Sequence, residues 1–247
     1  MEALDFRHLI GVILDRFAHK LRELVGKRSR LIVLRVPFLD LWFRPFFPIE
    51  WIMLLGLWEP YVTGILKLRP GDLFIDVGAY VGYYSRWAAS TVGRRGIVIS
   101  IEPHPVNWSI LVRNVFKFPQ VRVFRAAAGE RNGFTTLTLG EDPAGAVSHE
   151  AHDQYVRIRT VSIDNLSHSF PWKSRGHVYM KIDVEGSELR VIRGSSKFIR
   201  RYSPIIVMEV QRENLTRVRK LLPNYSLRML SRKYYVAVVL HAKRGTS

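Results

Sequence analysis

Two groups of acidic and glycine residues stand where apolar runs of the chain end. The first is Asp76-Val77-Gly78-Ala79-Tyr80-Val81-Gly82, of the form D-x-G-x-x-x-G. Gly78 and Gly82 allow a tight turn and a close approach of backbone to a ligand, and a helix starting there offers unpaired N–H groups to a carboxylate. Glu102 lies 26 residues after Asp76 and closes the next apolar run. An acidic side chain at that point accepts the two hydroxyls of a ribose. A dinucleotide site would instead carry G-x-G-x-x-G, and Asp76 would repel its pyrophosphate. The cationic ammonium of a methionyl group suits Asp76. Asp76, Gly78, Gly82 and Glu102 together therefore predict a site for S-adenosyl-L-methionine.

The second group is Lys181-Ile182-Asp183-Val184-Glu185-Gly186-Ser187-Glu188, with Glu209 following at the end of another apolar run. Glu185 and Glu188 also suit the first turn of a helix, where acids are stabilising by about 0.3–1 kcal/mol. Asp183 is placed to face a transferred methyl. A hydroxyl is a poor nucleophile near neutral pH, so its methylation needs a base or a metal. Asp183 or Glu209 is the expected base, and Lys181 would orient a carboxylate or stabilise developing charge. Convergence of Asp183, Glu185 and Glu209 would give an oxygen-only, magnesium-type site, but no histidine-containing transition-metal pattern is present and no metal is expected. The chain has no cysteine, which excludes disulfides, thiolate–zinc sites and cysteine nucleophiles.

These residues need a scaffold that ends strands and starts helices at one edge. Residues 73–77, 97–101, 121–126, 178–182 and 205–210 read as strands, and 81–92, 105–116, 187–198 and 213–221 as helices between them. The alternation predicts a parallel sheet with right-handed crossovers. Residues 134–139 and 155–163 alternate in the strand period around a turn-rich loop at 141–146, which predicts an antiparallel insertion. Two closing strands are expected near 227–230 and 234–240. Earlier in the chain, 31–36 reads as a short strand, with helices at 51–57 and 61–68.

The first 50 residues differ in character. Leu4, Leu9, Ile10, Ile13, Leu14, Phe17, Leu21 and Leu24 recur at helical spacing among charges, which predicts an amphipathic helix and not a secretory signal. Packing on the remainder of the protein is the expected role. The alternative is an interfacial helix on a membrane, with Lys27, Arg28 and Arg30 and the aromatics Trp42, Phe43, Phe46, Phe47 and Trp51 beside it. No apolar run is long enough to predict a transmembrane helix. The expected organisation is an amphipathic helix and linker over residues 1–50 and a catalytic domain over 51–247, in a cytoplasmic protein.

Net charge is +17, and residues 170–247 hold 17 Lys/Arg against 5 Asp/Glu, a local excess of +12. Such a field attracts anions, among them nucleic acid, acidic glycans and anionic lipid headgroups. It serves equally as a solvated, self-repelling surface.

The ordered set Gly71-Asp72-x-x-Ile75-Asp76-Val77-Gly78-Ala79-x-x-Gly82-Tyr83-Tyr84-Ser85, Glu102-Pro103-His104-Pro105, Ala127-Ala128-Gly129-Glu130, Thr160-Val161-Ser162-Ile163-Asp164, Lys181 to Glu188 and Pro204 to Val210 resembles the FkbM family of S-adenosylmethionine-dependent methyltransferases. The resemblance spans about residues 59–210. It implies an α/β, Rossmann-like class I methyltransferase fold with a mainly parallel seven-stranded sheet. It also implies O-methylation of a hydroxyl on a sugar, glycan or glycosylated metabolite, and with the basic surface an anionic acceptor is one expectation. Tyr80, Pro103, Ala127 and Asp183 join the cofactor site on the same basis. Two positions depart from the family pattern, which commonly has Asn where this chain has Tyr80 and His104. His104 reads either as an added acid/base or as a helix-start residue. The rival readings are an RNA methyltransferase using the basic surface and a non-catalytic protein that retains the cofactor site.

Overall fold

A computed structural model describes residues 6–25, 32–36, 41–139, 154–169, 176–230 and 235–243. The chain divides into two compact units, 1–65 and 66–247. The expected loop at 141–146 and the basic tract Lys27, Arg28 and Arg30 lie outside the described residues.

The first unit contains α1 (Phe6–Val25), the antiparallel pair β1 (Leu34–Val36) and β2 (Leu41–Phe43), α2 (Pro48–Leu54) and α3 (Pro60–Ile65). Ala18 of α1 is buried, with Leu14 and Leu21 half-buried on the same stripe, whereas Val12, Ile13 and Phe17 are exposed. The aromatic cluster turns inward: Phe43, Phe46 and Phe47 are buried, and Phe43 meets the Trp51 ring edge-on at 4.8 Å. Beneath it Arg44 pairs with Glu50, both almost fully buried, and the Glu50 carboxylate also accepts the Arg44 backbone N–H at 2.6 Å. No described helix is long and apolar enough to cross a membrane.

The second unit begins with the order anticipated from the alternation: β3 (Leu73–Val77), α4 (Tyr83–Val92), β4 (Ile97–Ile101), α5 (Pro105–Val115) and β5 (Val121–Phe124). Then come β6 (Ala127–Ala128), β7 (Gly133–Leu139), β8 (Gln154–Val161) and α6 (Ile163–Leu166). The chain closes with β9 (Val178–Ile182), α7 (Glu188–Arg193), α8 (Ser196–Tyr202), β10 (Ile205–Gln211), α9 (Leu215–Leu221), β11 (Tyr225–Met229) and β12 (Tyr235–Ala242). Seven strands form one sheet in the order β11-β12-β10-β9-β3-β4-β5, parallel except where β12 enters antiparallel between β10 and β11. The insertion is a separate three-stranded sheet, in which β7 pairs antiparallel with β8 and β6 adds in parallel.

The helix expected over 187–198 is two helices. Gly194 sits so close to the Gly129 carbonyl that a Cβ would stand 2.0 Å from its oxygen. After this contact the Asp164 carboxylate accepts the Phe198 and Lys197 N–H groups at 2.8 and 3.2 Å and starts α8 afresh. Likewise the helix expected to run to Leu68 ends at Ile65, and that expected from Glu213 is preceded by a single 3-10 turn.

The two faces of the large sheet differ in chemistry. Side chains alternate along a strand, so one face carries Ile75, Val77, Ile99, Ile101, Met180, Ile182, Met208, Val210, Val238 and Leu240. These pack with Val191, Ile192, Phe198, Ile199 and Val218 from α7, α8 and α9 into the main core. On the opposite face the register sets Asp76 level with both Ser100 and Lys181, and Lys181 level with Val207. One step further toward the carboxyl edge that face carries Glu102, Asp183 and Glu209.

Candidate active site

The polar face is held together from within. Asp76 is almost solvent-free, and its Oδ2 accepts the Ser85 hydroxyl at 2.6 Å. Ser85 in turn accepts the Ser100 hydroxyl at 2.7 Å. Burial pushes the Asp76 carboxyl above its ordinary range, against the pull of the Lys181 ammonium. Lys181 is itself buried; its Nζ lies 2.8 Å from Asp183 Oδ2 and 4.8 Å above the Tyr84 ring. Asp183 is the member that opens outward, its side chain 25% exposed against 7% for Lys181. Asp76, the residue expected to meet a ligand's ammonium, is level with Lys181 in the sheet and feels its charge.

The turn between β3 and α4 is shaped by packing. Gly78 (φ 81°), Tyr80 (φ 53°) and Gly82 (φ 88°) all adopt left-handed backbone. A Cβ on Gly78 would stand 1.7 Å from the Asp183 carbonyl oxygen, and one on Gly82 would stand 2.6 Å from Leu111 Cδ1. Protein atoms therefore fill the space the two glycines leave. Their consequence is that the ends of β3 and β9 lie side by side, with the Asp183 N–H donating to the Val77 carbonyl at 2.9 Å.

Glu102 is buried at the end of β4, beside the same turn. Its Oε2 accepts the Tyr80 N–H at 2.8 Å, and its Oε1 accepts the His104 N–H at 2.9 Å and the Asn107 amide at 3.4 Å. A carboxylate has about four acceptor positions, so this one is fixed in orientation and keeps about one position for a further donor. Burial pushes its carboxyl up to about 7 despite the three donors. His104 is the N-cap of α5, its Nδ1 accepting the Asn107 N–H at 3.5 Å. This contact supports the helix-start reading. Pro103 is half-buried between these residues, and Ala127 opens β6 just beyond the carboxyl end of β5.

Glu209 is half-buried on the Asp183 side of the sheet, two residues past the partner of Lys181. Glu188 is buried; its Oε1 accepts the Gly186 N–H at 2.7 Å, and burial raises its carboxyl. Glu185 is exposed in the left-handed turn that precedes it. Among the described residues no three acids or histidines are grouped to hold a metal.

Sequence reasoning did not single out Ser85, Ser100 or Tyr84 as members of this group. Ser100 carried a signal, being a lone hydroxyl inside the buried run Ile97-Val98-Ile99-Ser100-Ile101. A polar residue in a strand covered on both faces needs a partner there.

The strand order with its antiparallel β12 is that of a Rossmann-like methyltransferase, and S-adenosyl-L-methionine is the cofactor of the family that the chain matches. Residues 76–234 match the Methyltransferase FkbM domain, and the chain belongs to that family. Among solved structures it is similar to the methyltransferase FkbM from Methylobacillus flagellatus KT, with TM-score 0.52 and 19% identity. That alignment covers 74% of this chain and 46% of the other, so the chain spans under half of that protein's length. It is similar also to Aeropyrum pernix fibrillarin with natively bound S-adenosyl-L-methionine (TM-score 0.48, 12% identity, covering 74% and 72% of the two chains). A putative rRNA-methylase from Clostridium thermocellum gives TM-score 0.48 and 12% identity, covering 77% and 96%. No curated protein sequence matches the chain.

Proposed function

We propose that the protein methylates a hydroxyl of a sugar, glycan or glycosylated metabolite, with Asp183 as the base. The observation that carries this reading is the Lys181–Asp183 pair. Lys181 is locked behind the edge by Asp76 and Tyr84, and it presents a partly exposed carboxylate beside the glycine turn. When bound, S-adenosylmethionine supplies a methyl carbon made electrophilic by its sulfonium. Glu102 would receive the ribose hydroxyls, and the turn from Gly78 to Gly82 with the start of α4 would hold the amino-acid end. Asp183 would take the proton of the acceptor hydroxyl as that oxygen becomes nucleophilic. Lys181 keeps the carboxylate aimed, and Asp76 balances the Lys181 charge from below. Glu209, at the same edge, fits an acceptor-orienting role. The donor is a cytoplasmic metabolite, and the reading puts the protein there.

The test is turnover in Asp183→Asn. A fall in kcat on the order of 10²–10⁴, the usual worth of a positioned base, is expected with S-adenosylhomocysteine affinity retained. Undiminished turnover removes Asp183 from the role. The acceptor class is read by incorporation of labelled methyl into glycan, lipid and RNA fractions, where label confined to RNA would replace the hydroxyl reading with the rival one.

A further inference from the structure

Part of the basic excess of the last third of the chain lies on one layer of the fold. Helices α7, α8 and α9 all bury their apolar sides in the same core face of the sheet, through Val191, Ile192, Phe198, Ile199 and Val218. Their outer sides therefore look away from the sheet together. Those outer sides carry Lys197, Arg200 and Arg201 on α8 and Arg217, Arg219 and Lys220 on α9, every one exposed. No ion pair with a carboxylate engages these six among the described residues; in this layer only Arg193 reaches an acid, Glu130, at 3.9 Å. Unneutralised charge of one sign on one face is costly to hold together and has an anionic surface as its natural complement.

We infer that the α7–α9 face docks on the anionic headgroups of a lipid bilayer. Two observations favour lipid over nucleic acid. The exposed positions of these helices hold no aromatic ring, Tyr202 being half-buried against Phe198, whereas surfaces that bind single strands interleave cations with rings on which bases stack. Independently, α1 is amphipathic and leaves Val12, Ile13 and Phe17 exposed beside Arg16 and Lys20. An apolar strip flanked by cations is the pattern of an interfacial helix.

The inference does not depend on which acceptor is methylated, because docking is read without turnover. The full chain is sedimented with vesicles of phosphatidylcholine alone and with vesicles that also contain phosphatidylglycerol. Binding is expected only to the second, with release as salt rises and the Debye length shrinks. The quadruple variant Lys197→Glu, Arg200→Glu, Arg201→Glu, Lys220→Glu should lose at least about a thousandfold in partition, from the usual increment of each basic side chain removed at an anionic surface. Unchanged S-adenosylhomocysteine affinity in the variant shows that it is folded. The inference is overturned if wild type ignores the anionic vesicles or if the variant binds them as well as wild type. Preference for a structured RNA over the vesicles at equal salt overturns it too, in favour of the nucleic-acid reading.

Discussion

Glu102 links the site to pH. Its carboxyl is pushed to about 7 by burial, from an ordinary value of 4.5, and the proposed contact with the ribose needs the ionised form. Cofactor binding must therefore expel the proton that Glu102 carries below about pH 7. Affinity for S-adenosylhomocysteine is expected to fall roughly tenfold per pH unit below that point. Titration calorimetry in buffers of different ionisation enthalpy reads the released proton, and a flat profile between about pH 6 and 8 would reject Glu102 as the ribose ligand. Glu102→Ala should bind weakly at every pH. For the protein without cofactor, the folded value exceeds the unfolded one, so the native state holds more protons between them. The stability from this group is full below about pH 4.5 and is lost as pH rises through about 7. Lys181 answers to the same physics. Lys181→Met would leave Asp76 as an uncompensated buried acid, and a loss of about 3–5 kcal/mol is expected in denaturant unfolding.

The turn from β3 to α4 decides whether the site assembles. Gly78→Ala is expected to destabilise by about 2–5 kcal/mol, since overpacking and left-handed backbone both count against it. The added methyl would push into the Asp183 carbonyl, 1.7 Å from the ideal Cβ position. The loss should therefore exceed that of Gly82→Ala, where the obstacle is a Leu111 side chain that can turn. Equal effects in thermal melts would contradict that ordering. Tyr80 holds φ 53°, a conformation in which asparagine is several-fold enriched. The commoner asparagine at this position in the family thus has a backbone reason. Tyr80→Asn should raise the melting temperature modestly while keeping cofactor affinity, because the bond to Glu102 comes from the main-chain N–H.

Over the whole molecule the +17 charge acts against compaction as well as toward anions. Raising NaCl from about 10 to 150 mM shortens the screening length from about 30 to 8 Å. The melting temperature of the free protein is expected to rise over that interval, while attachment to anionic vesicles weakens. A melting temperature that falls with salt would mean attractive ion pairs dominate, contrary to the α8 and α9 cations that have no described carboxylate partner. The buried Arg44–Glu50 pair belongs to the first unit alone, and Glu50→Gln should unsettle that unit without altering cofactor affinity.

The alternating apolar runs from Leu73 to Val210 were enough to predict the strands, the crossovers and the edge that carries Glu102, Asp183 and Glu209. In a sheet buried on both faces each strand is a short apolar run whose ends are marked by the residues that break it. Boundaries set by contacts between distant segments were not legible. The division of α7 from α8 depends on Gly194 meeting Gly129, 65 residues earlier in the chain, and on Asp164 capping α8. Local periodicity cannot register such contacts. The roles within the site divide the same way. Spacing makes Asp76 a cofactor candidate, while its pairing with Lys181 comes from strand register, because residues level on neighbouring strands share a face whatever their separation in sequence. Glycine at 78 and 82 was plain from the sequence. That the room it makes is filled by Asp183 and Leu111 was decided only when β9 and α5 packed against the turn.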